Sequence, residues 1–353
     1  MSASITDNAC FSPLFADAEV AKIFSSDMLI DRMIDYEFAL TSALKKAGDI
    51  DAKLGSSALT AIRTFKPDIA AIGQASLVDG LPVPEFVRQL KAHVGPDLTS
   101  AVHVGGTSQD LLDTALVLTL RDLSEELSKR ITSIIDRLQA LDKAQGSQPL
   151  MGRTRMQAAL PITVSDRLMT WIEPLKRHLD RLTELRPRVE QLQFGGPVGL
   201  RDVSGGHGDE IASEIALFFE LTCPDHAWHT MRDGVVEYAG WLSLVTGSLG
   251  KTGQDICLMA QQGIDEISFS GGGSSSAMPH KQNPILAETL VAFARFNAVQ
   301  LSGMHHALVH EQERSGTAWT LEMMCLPLMA ETTGKATAIA GQLIDQIERI
   351  GSP

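Results

Sequence analysis

The amino-acid sequence predicts an all-α protein built as a bundle of long helices. Helix-favouring Leu, Ala, Met and Ile are plentiful among its 353 residues, while aromatic residues make up only 5%. The stretch from Leu111 to Gln145 contains neither glycine nor proline, the residues that most often end a helix. No segment alternates apolar and polar residues over any length, as a half-buried strand would. Together these observations favour helix over sheet.

The N-terminal part predicts one amphipathic helix over residues 17–48, followed by shorter helices. Gly48, which comes just after a lysine-containing turn, is a typical helix stop. Glycines and prolines then interrupt the chain repeatedly to about residue 98, so we expect residues 1–98 to form an N-terminal helical domain. The apolar residues that recur at helical spacing in the first helix are Val20, Ile23, Phe24, Leu29, Met33, Tyr36, Leu40 and Leu44.

Long helical segments dominate residues 99–353, which we expect to form a central long-helix bundle domain. The Leu111–Gln145 segment would reach about 50 Å at 1.5 Å per residue. Further long helices are expected over Ala227–Gln262 and Ile285–Glu313, and from Leu321 to the end, with Pro327 near the start of the last. Each apolar stripe needs a partner to cover it, so we expect helices of other subunits to complete the bundle.

Charge and cysteine usage exclude several classes of protein. The net charge of −13 argues against a nucleic-acid or anionic-membrane partner, and any anionic substrate needs a local cluster of positive groups. The four cysteines lie far apart without a C-x-x-C pair, which fits reduced thiols better than disulfides or a zinc site. No signal peptide and no continuous apolar stretch of membrane-spanning length is present, so we expect a cytoplasmic protein.

The first of three polar segments, "HVGGTSQD" (His103–Asp110), stands directly before the longest predicted helix. Thr107 or Ser108 can cap that helix while the glycines form the turn. A helix N-terminus with free N–H groups and hydroxyls is also a natural carboxylate site. The residues alone leave both interpretations open.

The second polar segment, "MGRTRMQAALPIT" (Met151–Thr163), is expected to be a loop after the long helix. Arg153 and Arg155, with Thr154 and Gln157, concentrate anion-binding donors in an otherwise acidic chain. A solvated basic loop is the alternative for this segment taken alone.

The third polar segment, "GGGSSSAMPHKQNP" (Gly271–Pro284), must be a loop because glycine and proline at this density suit neither helix nor strand. It carries Ser274, Ser275 and Ser276 close to Lys281 and Asn283. A phosphate-binding loop is excluded, because no G-x-x-x-x-G-K-[ST] follows a strand. Elsewhere, the histidines and carboxylates of "GGHGDE" and "DHAWH", and the histidines of "HHALVH", form no complete metal-ligand set.

Taken in order, the three polar segments resemble the active-site regions of the fumarase/aspartase superfamily. His103–Asp110 fits HxGxTSxD, Gly152–Thr163 fits GRTxxQxAxPxT, and Ser274–Pro284 fits GSSxMPxKxNP apart from its first position. The resemblance extends from about residue 11 to about residue 345. Within the superfamily, residues 11–50 and the stretch "LQFGGPVGLRD" (Leu192–Asp202) are similar to the 3-carboxy-cis,cis-muconate cycloisomerases.

The resemblance implies a fumarase/aspartase-like bundle in which helices of four identical chains share one core. Each active site of that homotetramer would combine segments from three subunits. The substrate would be a small tricarboxylate, 3-carboxy-cis,cis-muconate, which closes to 4-carboxymuconolactone in the protocatechuate branch of the β-ketoadipate pathway of aromatic degradation. No cofactor and no metal is implied. Relatives usually continue into a small C-terminal helical domain that this sequence lacks.

The implied roles follow the matching positions. Ser275 would carry the proton, activated by Lys281, with His103 as a further catalytic acid. The substrate-binding set would be Thr107, Ser108, Arg153, Thr154, Arg155, Gln157, Ser276, Met278, His280 and Asn283. Donors of this kind would stabilise the carbanion that develops beside a substrate carboxylate.

Three departures from the family pattern leave alternative substrates open. Arg155 stands where many relatives place a histidine acid, Ser274 stands where the pattern has glycine, and the last domain is missing. The departures would accommodate a 3-sulfomuconate in place of the carboxylate. A fumarate-releasing lyase resembling adenylosuccinate lyase is the nearest other reaction, and a helical scaffold without activity is disfavoured by the intact serine segment.

Overall fold

The computed structural model describes residues 5–202, 205–271, 273–274 and 282–352. Helices make up most of this part of the chain, and a short 3-10 turn at Thr99–Ala101 precedes the longest of them. The α-helices are α1 (Ser12–Phe15), α2 (Ala18–Ile23), α3 (Ser26–Ala47), α4 (Ala52–Arg63), α5 (Ile69–Asp79), α6 (Val83–Val94), α7 (Ser108–Gln145), α8 (Val164–Val189), α9 (Gly208–Phe219), α10 (Asp233–Met259), α11 (Ile285–His306) and α12 (Thr317–Asp345).

The described strands form three separate antiparallel pairs. β1 pairs with β2 as a hairpin, β3 pairs with β6, and β4 pairs with β5. Each pair is too small to hold a core of its own, so the helices provide the hydrophobic interior. The strands are β1 (Pro149–Thr154), β2 (Gln157–Thr163), β3 (Ile267–Phe269), β4 (Gly273–Ser274), β5 (Gln282–Asn283) and β6 (Ile347–Ile350).

Helix α7 is the longest described helix, and its N-terminus carries residues of the candidate site. Its 38 residues correspond to about 57 Å. One face of the helix is buried, with Leu123, Leu127 and Ile131 fully buried. The expected helix over Leu111–Gln145 is therefore present and begins three residues earlier, at Ser108.

The bundle consists of α7, α8, α10, α11 and α12. α10 packs against α8, α11 and α12, and α7 packs against α8 and α12. Gly253 of α10 allows α11 to approach closely, since a Cβ atom at this position would lie 2.5 Å from the carbonyl oxygen of Ala287. The predicted fold class, a bundle of long helices, is confirmed.

The predicted helix over residues 17–48 is two helices in the structure. The first ends at Ile23, and Ser25 caps the second, because its hydroxyl accepts a hydrogen bond from the N–H of Met28. The predicted stop at Gly48 is confirmed, with φ of 85° in the left-handed region. Helices α3 and α6 both pack against α7, and the domain boundary at residue 98 stays a prediction.

Four predicted helix boundaries were wrong by several residues, including the start of α12, which lies at Thr317 rather than Leu321. α10 begins at Asp233 rather than Ala227, because Trp228 donates its backbone and indole N–H groups to Gln193 and Leu192 instead of to a helix. α11 ends at His306, before a turn. α12 ends at Asp345, after which β6 pairs with β3.

The expected loop at Met151–Thr163 is a β-hairpin. Its strands were not visible in the sequence because most of the hairpin is exposed on both faces, so no alternation of apolar and polar residues marks it. Helices α8 and α9 were also not predicted. Pro174 and Pro187 lie inside α8 and hid its helical periodicity.

Several large apolar side chains of the bundle face outward. Val299 of α11, Met324 of α12 and Leu244 of α10 are each more than half exposed, and Met156 and Leu160 of the hairpin are about three-quarters exposed. Exposed apolar area repeated over neighbouring helices marks a surface for association. Among the described helices, none is both long and apolar enough to cross a membrane.

A buried ionic cluster joins α7, α10 and α12. The Arg232 guanidinium donates to both oxygens of Asp113 at 2.8 and 3.0 Å, and to the Glu322 carboxylate at 2.9 Å through Nε. All three side chains are at most 2% exposed. Burial alone would lower the pKa of Arg232, but the charges of Asp113 and Glu322 raise it, so the arginine stays protonated.

Replacing Arg232 with Met is expected to lower the free energy of unfolding by about 3–5 kcal/mol, because two carboxylates would remain buried without their cation. Chemical denaturation measures the loss. Arg188→Met is the matched control, since Arg188 pairs with Glu237 on the surface and its loss should change little. Equal losses in the two variants would contradict the stabilising role of the buried cluster.

Candidate active site

The turn before α7 holds the first polar segment in a strained conformation. His103 has φ of 57° and Gly105 φ of 73°, both in the left-handed region. Gly106 sits so close to the core that an added Cβ would lie 3.3 Å from a methyl of Leu40. The turn delivers Thr107 as the N-cap and Ser108 as the first residue of α7. Both hydroxyl residues therefore stand at the positive end of a long helix.

Asp110 fixes this turn from inside. Its carboxylate is fully buried and accepts hydrogen bonds from the N–H groups of Thr107, Gly195 and Gly196 at 2.9–3.0 Å. His229 Nε2 lies 2.7 Å from the same carboxylate. Sequence reasoning quoted Asp110 as part of a motif but gave it no role. The structure shows that it joins two loops and one helix N-terminus.

The stretch around Gly195 and Gly196 lies directly against the turn before α7. A Cβ on Gly196 would be 2.8 Å from the carbonyl oxygen of Gly105, and Gly196 has φ of 68°. Glycine is therefore required at this contact on two counts, close backbone approach and a left-handed conformation. The "LQFGGPVGLRD" stretch, noted in the sequence for its resemblance, thus belongs to the candidate site.

His103 is held by a buried carboxylate that the sequence did not reveal. Glu37 of α3 is 0% exposed, and its Oε1 lies 2.6 Å from His103 Nδ1 while Oε2 accepts the backbone N–H of His103 at 3.0 Å. Burial alone would lower the pKa of His103. The charge and hydrogen bond of Glu37 outweigh burial and raise that pKa above its ordinary value.

Arg314, in the connection between α11 and α12, adds a cation to this side of the site. Its Nε donates to Gln109 Oε1 and one terminal nitrogen donates to the carbonyl of Pro197, both at 3.2 Å. No carboxylate of the described residues forms an ion pair with it. No motif marked Arg314, because its place beside α7 depends on the fold alone.

The second polar segment forms the tip of the β1–β2 hairpin. Thr154, Arg155, Met156 and Gln157 are all exposed, and Arg155 and Met156 make the turn with φ of 49° and 66°. The predicted donors therefore extend into solvent from this chain.

Arg153, at the base of the hairpin, is already paired. Its guanidinium contacts the buried Glu266 at 2.5 Å, which ties the hairpin to the segment before β3. Beside it lies a cleft of about 340 Å³ between the hairpin, α8 and α10, whose lining includes Arg167 and Lys251. Lys251 is bound to Asp255, whereas Arg167 has no ion-pair partner among the described residues.

Only the edges of the third polar segment lie within the described residues. Asn283 pairs with Gly273 across the β4–β5 pair, and Pro284 precedes α11. Ser274 is the last described residue before Ser275 and Ser276. The predicted site residues Ser275, Ser276, Met278, His280 and Lys281 lie outside the described part of the chain.

Within the described residues, one chain keeps the first polar segment apart from the hairpin. His103, Thr107 and Ser108 lie at the N-terminal end of α7, whereas the hairpin follows its C-terminal end, about 57 Å away. Strand β3, which precedes the third segment, also lies at that far end. It pairs with β6, and Ser352, just after β6, donates its backbone N–H to the carbonyl of Pro149 at the start of the hairpin. Within the described ranges, no three His, Cys, Asp or Glu side chains are grouped as metal ligands.

A long-helix bundle with these three polar segments defines an enzyme of the lyase type. A family model described as "Lyase" matches residues 16–297, and the chain belongs to this lyase family, within the fumarase/aspartase superfamily. The resemblance inferred from the motifs is thereby confirmed.

Particular relatives carry the comparison further. The chain is 34% identical over 334 residues to the 3-carboxy-cis,cis-muconate cycloisomerase of Acinetobacter baylyi, covering 92% of this chain and 74% of that protein. The crystal structure of the 3-carboxy-cis,cis-muconate lactonizing enzyme from Pseudomonas putida matches with a TM-score of 0.90 at 34% identity, covering 97% of this chain and 77% of that one. A fumarate lyase from Mesorhizobium sp. BNC1 matches with a TM-score of 0.88 at 31% identity, covering 96% and 76%. These relatives confirm the predicted similarity to the cycloisomerase branch.

Replacing Asp110 with Asn is expected to lower the free energy of unfolding by about 2–4 kcal/mol, because an amide NH₂ would face N–H groups that now donate to a carboxylate. Chemical denaturation measures this, and hydrogen exchange at the amides of Gly195 and Gly196 should accelerate. Asp166→Asn is the matched control: Asp166 closes the same Thr-x-x-Asp capping box on α8, but on the surface. An Asp110→Asn protein as stable as the control would show that Asp110 serves only as a helix cap.

Proposed function

We propose that this protein is a 3-carboxy-cis,cis-muconate cycloisomerase, which adds one carboxylate of a tricarboxylic diene across a double bond to close a lactone. The observation that supports this most is the similarity to enzymes of that name over nine-tenths of the chain, together with retention of all three polar segments. The reaction needs no oxidant, since the atoms of the substrate are only rearranged.

The described part of the proposed site, at the N-terminus of α7, suits the negative charge that develops in this reaction. Addition of the carboxylate leaves a carbanion beside another carboxylate, and fixed donors around that carboxylate stabilise it. Thr107 and Ser108 stand at the N-terminus of α7, where free N–H groups and the helix dipole favour an anion. The pKa of His103 at the same place is raised, chiefly by Glu37 against burial, so its imidazolium form persists to a higher pH than in an ordinary histidine.

The remaining donors of the proposed site come from the other two polar segments. Thr154, Arg155 and Gln157 are presented on the exposed hairpin, and Arg153 lines the cationic cleft at its base. Asn283 lies in β5, near the end of the third polar segment. Ser276, Met278 and His280 are assigned to substrate binding by their positions in the family motif.

Ser275 is assigned the proton transfer to the carbon beside the carboxylate. An ordinary hydroxyl is too weak a base in the reverse direction, so a neighbouring cation must favour its alkoxide, and Lys281 is six positions away in the same segment. The support for both residues is the match of the "SSSAMPHKQNP" stretch to the family motif.

The active unit is proposed to be a homotetramer whose sites each take segments from three subunits. Two observations support this: the polar segments lie at opposite ends of α7, and outward-facing apolar residues line the central helices and the hairpin. Separate copies would bring the N-terminus of one α7 to the hairpin and serine segment of others.

A fumarate-releasing lyase is the second candidate, favoured by the match to the Mesorhizobium fumarate lyase. It is disfavoured by Arg155, which stands where many lyases of the superfamily place a histidine acid. A guanidinium there suits a substrate with an additional anionic group, whether carboxylate or sulfonate. Incubation with each substrate and ultraviolet spectroscopy separates the reactions, because lactone formation removes the diene absorbance whereas the lyase releases fumarate.

Replacing Ser275 with Ala is expected to lower kcat for loss of the diene absorbance by about 10²–10⁴-fold, because the proton carrier is removed. Ser57→Ala, on the exposed face of α4, is the matched control and should leave the rate unchanged. A folded Ser275→Ala protein with full turnover would contradict the assigned proton transfer. An unmodified protein that leaves the diene intact would contradict the proposed substrate.

Mixing two inactive variants tests the shared site. If Ser275→Ala and Thr107→Val chains are unfolded together and refolded at equal concentration, about a quarter of the sites should receive both intact segments. Activity should therefore return to about that share of the unmodified rate, measured against each variant refolded alone. No gain on mixing would show that the two segments act within one chain.

A further inference from the structure

We propose that Glu37 is a positioning residue of the active site, which holds His103 by its Nδ1 atom and directs Nε2 toward the substrate carboxylate. The proposal rests on the proposed function for the role of His103, but the contact itself is independent of it. Glu37 lies on α3, far from the three polar segments in sequence, and no motif includes it.

The first argument is the geometry of the contact. Glu37 is 0% exposed and uses both carboxylate oxygens on one residue: Oε1 on the Nδ1 of His103 at 2.6 Å and Oε2 on its backbone N–H at 3.0 Å. Two attachments to one residue fix both its ring and its backbone. The left-handed φ of 57° at His103 is therefore held by this carboxylate as well as by the turn.

The second argument is the burial of an otherwise unpaired charge. Among the described residues, no Lys or Arg forms an ion pair with Glu37, so His103 is its one cationic partner there. A buried carboxylate without a cation is costly, so Glu37 favours the imidazolium form of His103, in which the Nδ1–H donates to it. A hydrogen bond at one ring nitrogen sets the state of the other, so Nε2 is the atom available to a ligand.

Charged groups from three helices face His103. Burial lowers its pKa, and Lys91 of α6 lowers it further; Glu37 of α3 and Asp110 of α7 raise it. The net direction is upward, so the imidazolium form persists to a higher pH than in an ordinary histidine. The side chain is still 17% exposed, which leaves it open toward a substrate.

The chemical consequence is a fixed N–H donor beside the N-terminus of α7. As imidazolium, His103 can donate from Nε2 to the carboxylate that takes up charge during the addition, which lowers the barrier without itself losing the proton. Activity should therefore fall as the pH rises through the pKa of His103, and that limb should move when Glu37 loses its charge.

The experiment uses Glu37→Gln in the full chain, since Gln keeps the size and can still accept at one atom but carries no charge. The titration of His103 is followed by NMR with isotope-labelled histidine, and its signal is assigned with His103→Gln. We expect the midpoint to fall by about 1 unit or more in Glu37→Gln. The high-pH limb of kcat should move by the same amount, with a smaller change in KM.

A matched control lies in the same protein. His207 Nδ1 contacts Asp49 at 2.6 Å, the same contact at another place, and its pKa is also raised, through the hydrogen bond to Asp49. Asp49→Asn should move the titration of His207 and leave that of His103 in place. This separates the specific effect of Glu37 from any general change in net charge.

Unchanged titration of His103 in Glu37→Gln would overturn the proposal. So would a wild-type His103 midpoint at or below about 6.5, which needs no variant and so remains decisive if Glu37→Gln does not fold. If the titration moves but the rate profile does not, the positioning role of Glu37 in catalysis is overturned while the cycloisomerase activity stands. If the diene is not consumed at all, the proposed function fails independently.

Discussion

The buried carboxylate of Asp110 is the interaction on which the described half of the site depends. It accepts three backbone N–H groups and faces His229 Nε2, so a fully buried charge is compensated without any Lys or Arg. Such a carboxylate is stable only where all its partners are in place, which makes the arrangement all-or-none. It fixes the start of α7, the turn before it and the glycine-rich stretch at 195–196 as one unit. The strained turn that presents His103 is possible because this unit is rigid.

The length of α7 separates this unit from the hairpin, which carries other residues of the proposed site. A helix of about 57 Å separates the donors at its N-terminus from the hairpin that follows its C-terminus. The outward-facing Val299, Met324 and Leu244 lie on three central helices, α11, α12 and α10, that the proposed tetramer would bring together. The length of α7 and the exposed apolar area are two independent observations that support the proposed homotetramer.

The sequence predicted what depends on local chemistry and did not predict what depends on tertiary contact. The uninterrupted run after Leu111 indicated α7, and Gly48 indicated the end of α3, because each signal lies within one element. The break at Ser25 was hidden, since a cap in the middle of an apolar stripe leaves the periodicity almost unchanged. The hairpin was hidden because a strand exposed on both faces has no alternating pattern. Glu37 could not be found at all: its role exists only where α3 crosses the turn before α7, 66 residues away in sequence.

The distribution of cations explains how an acidic chain can bind a trianion selectively. Arg232 is held between two buried carboxylates, so it stabilises the fold rather than attracts ligands. Arg155 and Arg314 have no ion-pair partner among the described residues, and they lie at opposite ends of the chain's long axis. Each is therefore a weak anion site alone, and a substrate with one carboxylate gains little from either. In the proposed tetramer, Arg155 of one copy and Arg314 of another would lie near one ligand together with His103, so we attribute selectivity for a tricarboxylate to the proposed assembled site.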